Sequence, residues 1–254
     1  MTALPTRRDE AWRYSDHGAV ARLWPVAPAK VIEIAAGAGL TRHLIADGSI
    51  HDFAITIGAG GRFDFHLLNA GAGYGRVALD VTLHYGAHFE FGAVQIGGGE
   101  ANLEIVTTVR HVEPNATSKQ VVRSVLGGAA TGSYLGKVAV SRDAQKTDSV
   151  QSVKAMLLSR TATGNAKPEL EIYADDVKCA HGATVGELDR DALFYLAARG
   201  LPPAEAQTLL LQAFVAEVFE GAEAREKLEA AALLALSTLS LWGEGQPAKP
   251  AGRG

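Results

Sequence analysis

Short runs of apolar and β-branched residues, separated by Gly, Asn, Asp and Pro, fill the chain from residue 31 to about residue 187. Runs of this kind predict strands joined by turns. They recur every 11 to 19 residues without a helical pattern between them, so a β-sandwich and a parallel β-helix both fit. The runs are FAITI, RFDFHLL, RVALDVTLHY, HFEFGAVQI, NLEIVTTVRHV, KQVVRSVL, YLGKVAV, SVQSVKAMLL and ELEIYADDVKCAH.

Alternation inside the run NLEIVTTVRHV predicts a strand with one buried and one solvated face. Leu103, Ile105 and Val109 are expected on the buried face. The residues expected on the solvated face are Asn102, Glu104, Thr108 and Arg110.

The apolar spacing becomes helical after Glu187. Asp189 suits an N-cap and Gly200 suits the position after a helix C-terminus. A second helix is expected to open at Pro202 and Pro203, and a third to cover residues 222–241.

The second helix carries a wide apolar stripe, which either packs on the strand core or meets a partner, and core packing is the better expectation. The stripe consists of Leu210, Leu211, Phe214, Val215, Val218 and Phe219.

Four regions follow from these patterns. Residues 1–30 form a short segment that carries Trp12 and Tyr14 and ends in the linker PVAPAK. Residues 31–187 form the strand core and residues 188–242 the helical region. Residues 243–254, rich in Gly and Pro, are expected to be a disordered tail.

The amino-acid composition argues against several classes of function. With 24 Lys and Arg against 28 Asp and Glu the net charge is −4, so nucleic acid is not an expected partner. A single cysteine, Cys179, excludes an internal disulfide framework and suits the cytoplasm. Charged residues rather than an apolar segment follow Arg7 and Arg8, so no export signal is expected. The longest apolar stretch, residues 230–242, contains three hydroxyl residues and is too short to span a bilayer.

The sharpest chemical pattern is DDVKCAHGATVG, residues 175–186. In an extended segment Cys179 and His181 point to the same face and could act as a soft-metal pair. The alternative is a small buried thiol beside an ordinary hydrogen-bonded histidine. Two ligands cannot hold an iron–sulfur cluster or a closed zinc site alone. Six further histidines are expected to be structural or solvent-facing, and they are His43, His51, His66, His84, His88 and His111.

Motifs for nucleotide or hydrolase chemistry are incomplete. SYLGKV, residues 133–138, resembles a phosphate-binding loop, but Thr131 stands where the motif needs Gly, and Val138 where it needs Ser or Thr. We therefore expect no ATP site, no catalytic residue and no enzymatic activity. The sequence leaves flavin binding open.

Residues 169–220, ELEIYADDVKCAHGATVGELDRDALFYLAARGLPPAEAQTLLLQAFVAEVFE, closely resemble the SufB/SufD family of iron–sulfur cluster assembly proteins. Residues 111–159 resemble the central region of that family, and RRDEAWRYSD its entry segment. KCAHGATVG is more similar to the SufD branch, because SufB keeps a carboxylate beside the histidine where this chain has Gly182.

The resemblance implies a right-handed parallel β-helix core with a C-terminal helical region. It also implies pairing with SufB at the end of the β-helix and attachment of the SufC ATPase through the C-terminal helices. His181, with Cys179 as its strand neighbour, takes the place of the family histidine at the SufB–SufD interface. There it would help to handle iron or a nascent cluster with ligands that SufB supplies.

Two alternatives stay open at this point. The chain could be a homodimeric scaffold similar to both SufB and SufD. It could also be a β-helical enzyme for a carbohydrate or acyl substrate, although the sequence shows no convergent set of acids for that chemistry.

Overall fold

The computed structural model describes residues 3–243, with side chains as far as residue 239. Within this range twelve strands form two six-stranded parallel sheets, and successive strands alternate between them. Sheet A contains β1 (Lys30–Ile34), β3 (Ile50–Ile57), β5 (Tyr74–Leu83), β7 (Asn102–His111), β9 (Thr131–Val140) and β11 (Thr163–Ile172). Sheet B contains β2 (Gly39–Ile45), β4 (Arg62–Gly71), β6 (His88–Gly97), β8 (Thr117–Leu126), β10 (Asp148–Leu157) and β12 (Lys178–Gly186).

Each turn of the chain adds one strand to each sheet, and this is the topology of a parallel β-helix. Strand alternation places Leu103, Ile105 and Val109 inside, where all three are buried, as predicted. The predicted mainly β fold with a parallel β-helix core is therefore confirmed. Its right-handed sense stays a prediction, and it agrees with the usual hand of parallel crossover connections.

Two short 3₁₀ turns and four helices flank the sheets. The 3₁₀ turns are Glu10–Trp12 and Glu217–Phe219. The helices are α1 (His17–Leu23), α2 (Arg190–Ala198), α3 (Pro203–Ala216) and α4 (Arg225–Gly243). The Asp189 side chain accepts hydrogen bonds from the backbone of Asp191 and Ala192, and Gly200 has a φ of +91°, so both predicted helix ends are confirmed.

The last helix begins at Arg225 rather than near Ala222, because the 3₁₀ turn and Gly221, at a φ of +83°, intervene between α3 and α4.

Helices α3 and α4 cover the outer face of sheet B. Leu211, Val215, Val218 and Phe219 are buried there, and core packing is the correct interpretation of most of the predicted stripe. The apolar residues that they meet on sheet B are Leu68, Val94, Ile96 and Val125. Helix α2 differs, since none of its residues is buried.

The N-terminal segment covers part of the outer face of sheet A, and this makes the prediction for Glu104 wrong. Glu104 was expected in solvent but is fully buried. Its Oε2 accepts hydrogen bonds from Arg76 Nη1 at 2.7 Å and Ser15 Oγ at 2.8 Å. The Arg76 guanidinium lies 3.9 Å from the centre of the Trp12 ring. Burial is possible because the arginine charge and the hydroxyl replace water around the carboxylate.

The strands run from Lys30 to Gly186 and the C-terminal helical elements from Arg190 to Gly243. Apart from Gly243, the tail predicted for residues 243–254 lies outside the described residues. None of the helices in residues 3–243 has the length and apolar character needed to cross a membrane.

Candidate functional site

Cys179 and His181 lie on β12, the terminal strand of sheet B. In the described part of the chain β12 pairs with a strand on one side only, that of β10. The two residues are two positions apart and therefore share one strand face. Cys179 is aligned with Ser149 and His181 with Gln151 on β10. Because Ser149 and Gln151 are buried, the face shared by Cys179 and His181 is the inner face of the β-helix.

The inner face of sheet B carries two rows of aligned residues that end at this pair. The first inner row is Phe63, Phe89, Ser118, Ser149 and Cys179. The second inner row is Phe65, Phe91, Gln120, Gln151 and His181. Along the chain the rows read FDF, FEF, SKQ, SVQ and CAH. The interior therefore changes from aromatic to polar toward β12.

Hydrogen bonds connect the polar members of the first inner row. Ser118 Oγ lies 2.8 Å from Ser149 Oγ and 3.0 Å from His111 Nε2. Burial lowers the pKa of His111 to about 4, against the opposing effect of a backbone hydrogen bond at Ala116, so this imidazole is neutral near pH 7. A neutral histidine thus lies inside the β-helix beside Ser118, whose strand β8 is two positions from β12 in sheet B.

Tyr134 links the polar members of the second inner row. Its hydroxyl donates to Gln120 Oε1 at 3.0 Å and accepts from Gln151 Nε2 at 3.3 Å. Thr107 Oγ1 also donates to Gln120 Oε1, at 2.8 Å. The Tyr134 side chain is fully enclosed, and desolvation raises the pKa of its hydroxyl well above the ordinary value. The phenol is therefore a neutral hydrogen-bonding group.

Gly136 provides the space in which the Tyr134 ring lies, because a Cβ at this position would collide with that ring. The same glycine belongs to the segment SYLGKV, which runs inside strand β9 and not in a loop before a helix. A phosphate-binding loop needs consecutive backbone N–H groups that point at the ligand, whereas a strand commits them to its neighbours. Residues 133–138 therefore do not have the loop conformation of a phosphate-binding motif.

Cys179 and His181 differ in exposure. His181 is exposed, whereas Cys179 is partly buried against the central core. Burial, and secondarily the Asp148 carboxylate, raise the pKa of the Cys179 thiol. A thiol must lose its proton to ligate a metal, so Cys179 would need a nearby cation to become a good ligand.

Two ligands from this chain do not complete a metal site at β12. Within residues 3–243 only one place brings three metal-ligating side chains together, and it is formed by Asp64, His88 and Glu90. That cluster lies on β4 and β6, away from β12. Any metal or cluster at Cys179 and His181 therefore needs ligands from another molecule.

The six other histidines for which the sequence predicted a structural or solvent-facing position occupy varied environments. His111 and His66 are buried, whereas His43 is exposed on β2. His51 and His84 lie beside carboxylates, with His51 Nε2 2.9 Å from Asp47 Oδ1 and His84 Nδ1 3.0 Å from Glu113 Oε1. None of these five belongs to a three-ligand group in the described residues, whereas His88 does.

Comparison with known families gives the context for this geometry. Residues 46–214 match the SufBD core domain of the SUF system for FeS cluster assembly. The chain belongs to the SufBD family. The family that the sequence predicted is therefore confirmed, and the match includes both inner rows of the β-helix from Phe63 to His181.

Curated members of the SufBD family are similar to this chain over part of its length. A SufBD family protein of Synechocystis sp. is 36% identical over 168 residues, which cover 66% of this chain and 37% of the relative. SufD of Escherichia coli is 38% identical over 114 residues, 45% of this chain and 27% of that protein. SufD of Bacillus subtilis is 31% identical over 133 residues, 52% and 30% of the two chains. The alignments thus span roughly a third of the length of these relatives.

The sequence did not identify the polar inner rows. A recognisable pattern was present, since SKQ, SVQ and CAH repeat the same polar spacing in three successive strands of sheet B. Serine and glutamine in a predicted strand are ordinarily assigned to the solvated face. Only the register between the strands reveals that these residues face inward.

Proposed function

We propose that this SufBD family chain is a scaffold subunit of the SUF iron–sulfur cluster assembly complex, and that it acts in the cytoplasm. Cys179 and His181 would contribute to a site for iron or a nascent cluster, which is the cargo of the assembly and not a resident cofactor. A SufB subunit bound at the β12 end of the β-helix, here called the open end, would supply the remaining ligands. The chain itself would be non-enzymatic, since ATP hydrolysis would come from SufC.

One observation carries this proposal: a thiol and an imidazole share the inner face of a terminal strand whose other edge has no strand neighbour among the described residues. Backbone N–H and C=O groups at such an edge can pair with a strand of another subunit. A partner that continues the sheet would also continue the two inner rows. Its side chains at the same positions would then lie one strand spacing, about 4.8 Å, from the thiol and the imidazole.

Helix α2 supports the proposed attachment of SufC. Helices α3 and α4 pack one apolar face against sheet B and expose Leu209, Leu233 and Leu234 on the other. Helix α2 buries none of its residues and exposes aromatic rings, with Phe194 76% and Tyr195 57% exposed. Aromatic side chains contribute strongly to protein interfaces when a partner removes them from water. We therefore assign the docking of the ATPase to α2 within the helical region of residues 188–242.

The proposal is tested by replacing His181 in the assembled complex. The chain is purified anaerobically with SufB and SufC, and the bound iron and sulfide are measured. We expect His181→Ala to retain the complex but to lower cluster content at least tenfold. The matched control is His43→Ala, which removes an exposed histidine from β2, a terminal strand at the other end of sheet B.

Full cluster content in the His181→Ala complex would exclude the assigned site. Failure of the unaltered chain to associate with SufB and SufC would overturn the scaffold role. Stable self-association in place of a complex with SufB would instead support the homodimeric alternative.

For SufC docking, we expect Phe194→Asp to release SufC while SufB stays bound, and retention of SufC would contradict the assignment to α2.

A further inference from the structure

A mixed cluster of metal-ligating side chains lies on the outer face of sheet B. Asp64 and Glu90 are directly aligned on the neighbouring strands β4 and β6, and His88 precedes Glu90 by two positions on the same face. Phe63, Phe65 and the other inward residues occupy the opposite face of these strands. The cluster is therefore separate from Cys179 and His181 in two respects. It faces outward, and β6, the nearer of its two strands, lies three strand spacings, about 14 Å, from β12.

The three side chains present ligand atoms to one common point. One atom each of Asp64, His88 and Glu90 lies within 4.8 Å of the other two. His88 Nε2 is 3.9 Å from Glu90 Oε2, a separation too long for a hydrogen bond. Asp64 Oδ1 and His88 Nε2 are both shielded from solvent, and neither has a hydrogen-bond partner in the described part of the chain. Two buried polar atoms without partners are costly unless something else satisfies them.

The other nitrogen of His88 is held by a neighbouring strand. His88 Nδ1 lies 2.7 Å from Thr117 Oγ1 on β8. When Nδ1 donates to this hydroxyl, Nε2 carries the lone pair that a metal ion needs. A hydrogen bond of this kind fixes the orientation and tautomer of histidine ligands in metal sites. Thr117 is thus a positioning residue for the imidazole.

Arg62 and Lys119 form ion pairs with the carboxylates of the cluster, but neither donates a hydrogen bond to the two buried atoms that lack partners. Arg62 contacts Asp64 Oδ2 at 2.9 Å and Glu90 Oε2 at 3.0 Å. Lys119 Nζ lies 3.3 Å from Glu90 Oε1. An ordinary ion-pair cluster explains these contacts. It does not explain why Asp64 Oδ1 and His88 Nε2 are both buried without a hydrogen-bond partner among the described residues of a three-ligand cluster.

A cavity beside the cluster offers access. It has a volume of about 300 Å³ and is lined in part by Glu90, His66 and Lys119. His66 is 5% exposed, and its Nδ1 also has no hydrogen-bond partner within residues 3–243. It follows Asp64 by two positions on the same outer face of β4. Glu90 of the cluster and the buried imidazole of His66, whose Nδ1 lacks a hydrogen-bond partner among the described residues, thus line the same cavity.

We propose that Asp64, His88 and Glu90 bind one divalent first-row transition ion, of the class of Zn²⁺, Mn²⁺ or Fe²⁺, on the outer face of sheet B. Two carboxylates and one imidazole form a ligand set of intermediate hardness that favours these ions over Ca²⁺. Ligand atoms about 2.1 Å from such an ion lie roughly 3 to 3.5 Å apart, so side-chain rotations would close the site. Arg62 competes with the ion, because its guanidinium holds the same two carboxylates. The site does not depend on the function proposed for β12.

The test is a titration of the full chain with Zn²⁺ alone, followed by calorimetry, and with Co²⁺ alone, followed by visible absorption. We expect saturable binding of one ion, at least tenfold weaker in Asp64→Asn and in His88→Gln. Arg62→Gln should bind several-fold more tightly, because the competing cation is removed. His84→Gln is the matched control, since it removes a surface histidine that pairs with a different carboxylate, Glu113. Circular dichroism of each variant confirms that it is folded.

Three results would overturn the proposal. The first is the absence of saturable Zn²⁺ binding by the unaltered chain. The second is binding that is unchanged in both Asp64→Asn and His88→Gln. The third is binding that persists in those variants but disappears in Cys179→Ala, which would assign the ion to the terminal strand. The opposite responses of Arg62→Gln and Asp64→Asn separate metal binding from simple loss of an ion pair, which both substitutions would cause.

Discussion

The early and late turns of the β-helix share one backbone plan but fill their interiors differently. On sheet B the early turns place Phe63, Phe65, Phe89 and Phe91 inside, and neighbouring rings of aligned residues stack with centroids 6.0 Å apart. The late turns place serine and glutamine at the same inward positions. The early turns are stabilised by burial of apolar side chains. The late turns, next to β12, bury polar side chains that must be hydrogen-bonded, so their burial stabilises the fold less. The early turns are therefore expected to contribute more to stability than the late turns.

The largest expected effect comes from the aromatic turns. Phe89 is fully buried between Phe63 and Phe91. Phe89→Ala should lower the free energy of unfolding by about 3–5 kcal/mol, because it removes buried area and leaves a cavity. Urea denaturation measures the change. Phe194→Ala, which truncates an exposed ring, is the control and should change stability by less than about 0.5 kcal/mol. Equal losses in the two variants would contradict the role of the stack.

The polar turns should respond to pH through His111. Because its pKa is lowered to about 4 in the fold, the unfolded chain binds more protons between pH 6.5 and 4. Its neutral form contributes stability that is fully present above about pH 6.5 and is lost as the pH falls toward 4. The loss should approach about 3 kcal/mol in urea denaturation. His111→Gln should flatten this part of the profile, and an unchanged slope would contradict the assignment.

A smaller effect is expected from the hydrogen bonds of Tyr134. Tyr134→Phe removes the hydroxyl that joins Gln120 to Gln151 and leaves Gln151 Nε2 without that acceptor. The expected loss of stability is about 1–2 kcal/mol. Tyr173→Phe is the control, since its hydroxyl bonds Glu171 at an exposed position. If the control loses as much stability as Tyr134→Phe, the interior network has no special role.

The smallest effect on stability is expected at the open end. His181→Ala should change the free energy of unfolding by less than about 0.5 kcal/mol, because the side chain is exposed. This small change should accompany the loss of cluster content predicted for the complex. A loss above about 2 kcal/mol would show that His181 supports the fold in the manner of Gln151, the residue aligned with it.

Local patterns in the sequence predicted the elements well. Alternation identified the inward positions Leu103 and Ile105, and cap chemistry identified both ends of α2. Helix α1 and the burial of Glu104 were missed. A buried carboxylate at a polar position of an alternating strand cannot be distinguished from a solvated one until the segment that covers it is known. In this chain the covering residues, Trp12 and Ser15, are about ninety positions away in sequence.

The candidate sites could be predicted only in part, because register links residues from different turns. Cys179 and His181 were found since they lie on one strand, and the family resemblance pointed to them. The cluster of Asp64, His88 and Glu90 was missed because turn length varies. Asp64 is aligned with Glu90, 26 residues later, whereas Glu90 is aligned with Lys119, 29 residues later. A sequence pattern of strands and turns does not predict either of these spacings between aligned residues.

Among the described residues β12 pairs with a strand on one side only, and this has a thermodynamic consequence for the isolated chain. A ligand that binds only the native state raises apparent stability by mass action, by about 2.7 kcal/mol when its free concentration is a hundred times its dissociation constant. A subunit that pairs with β12 would act as such a ligand for the last turn. The lifetime of that turn, and its resistance to proteases, would then follow the abundance of the partner and not the sequence of this chain alone.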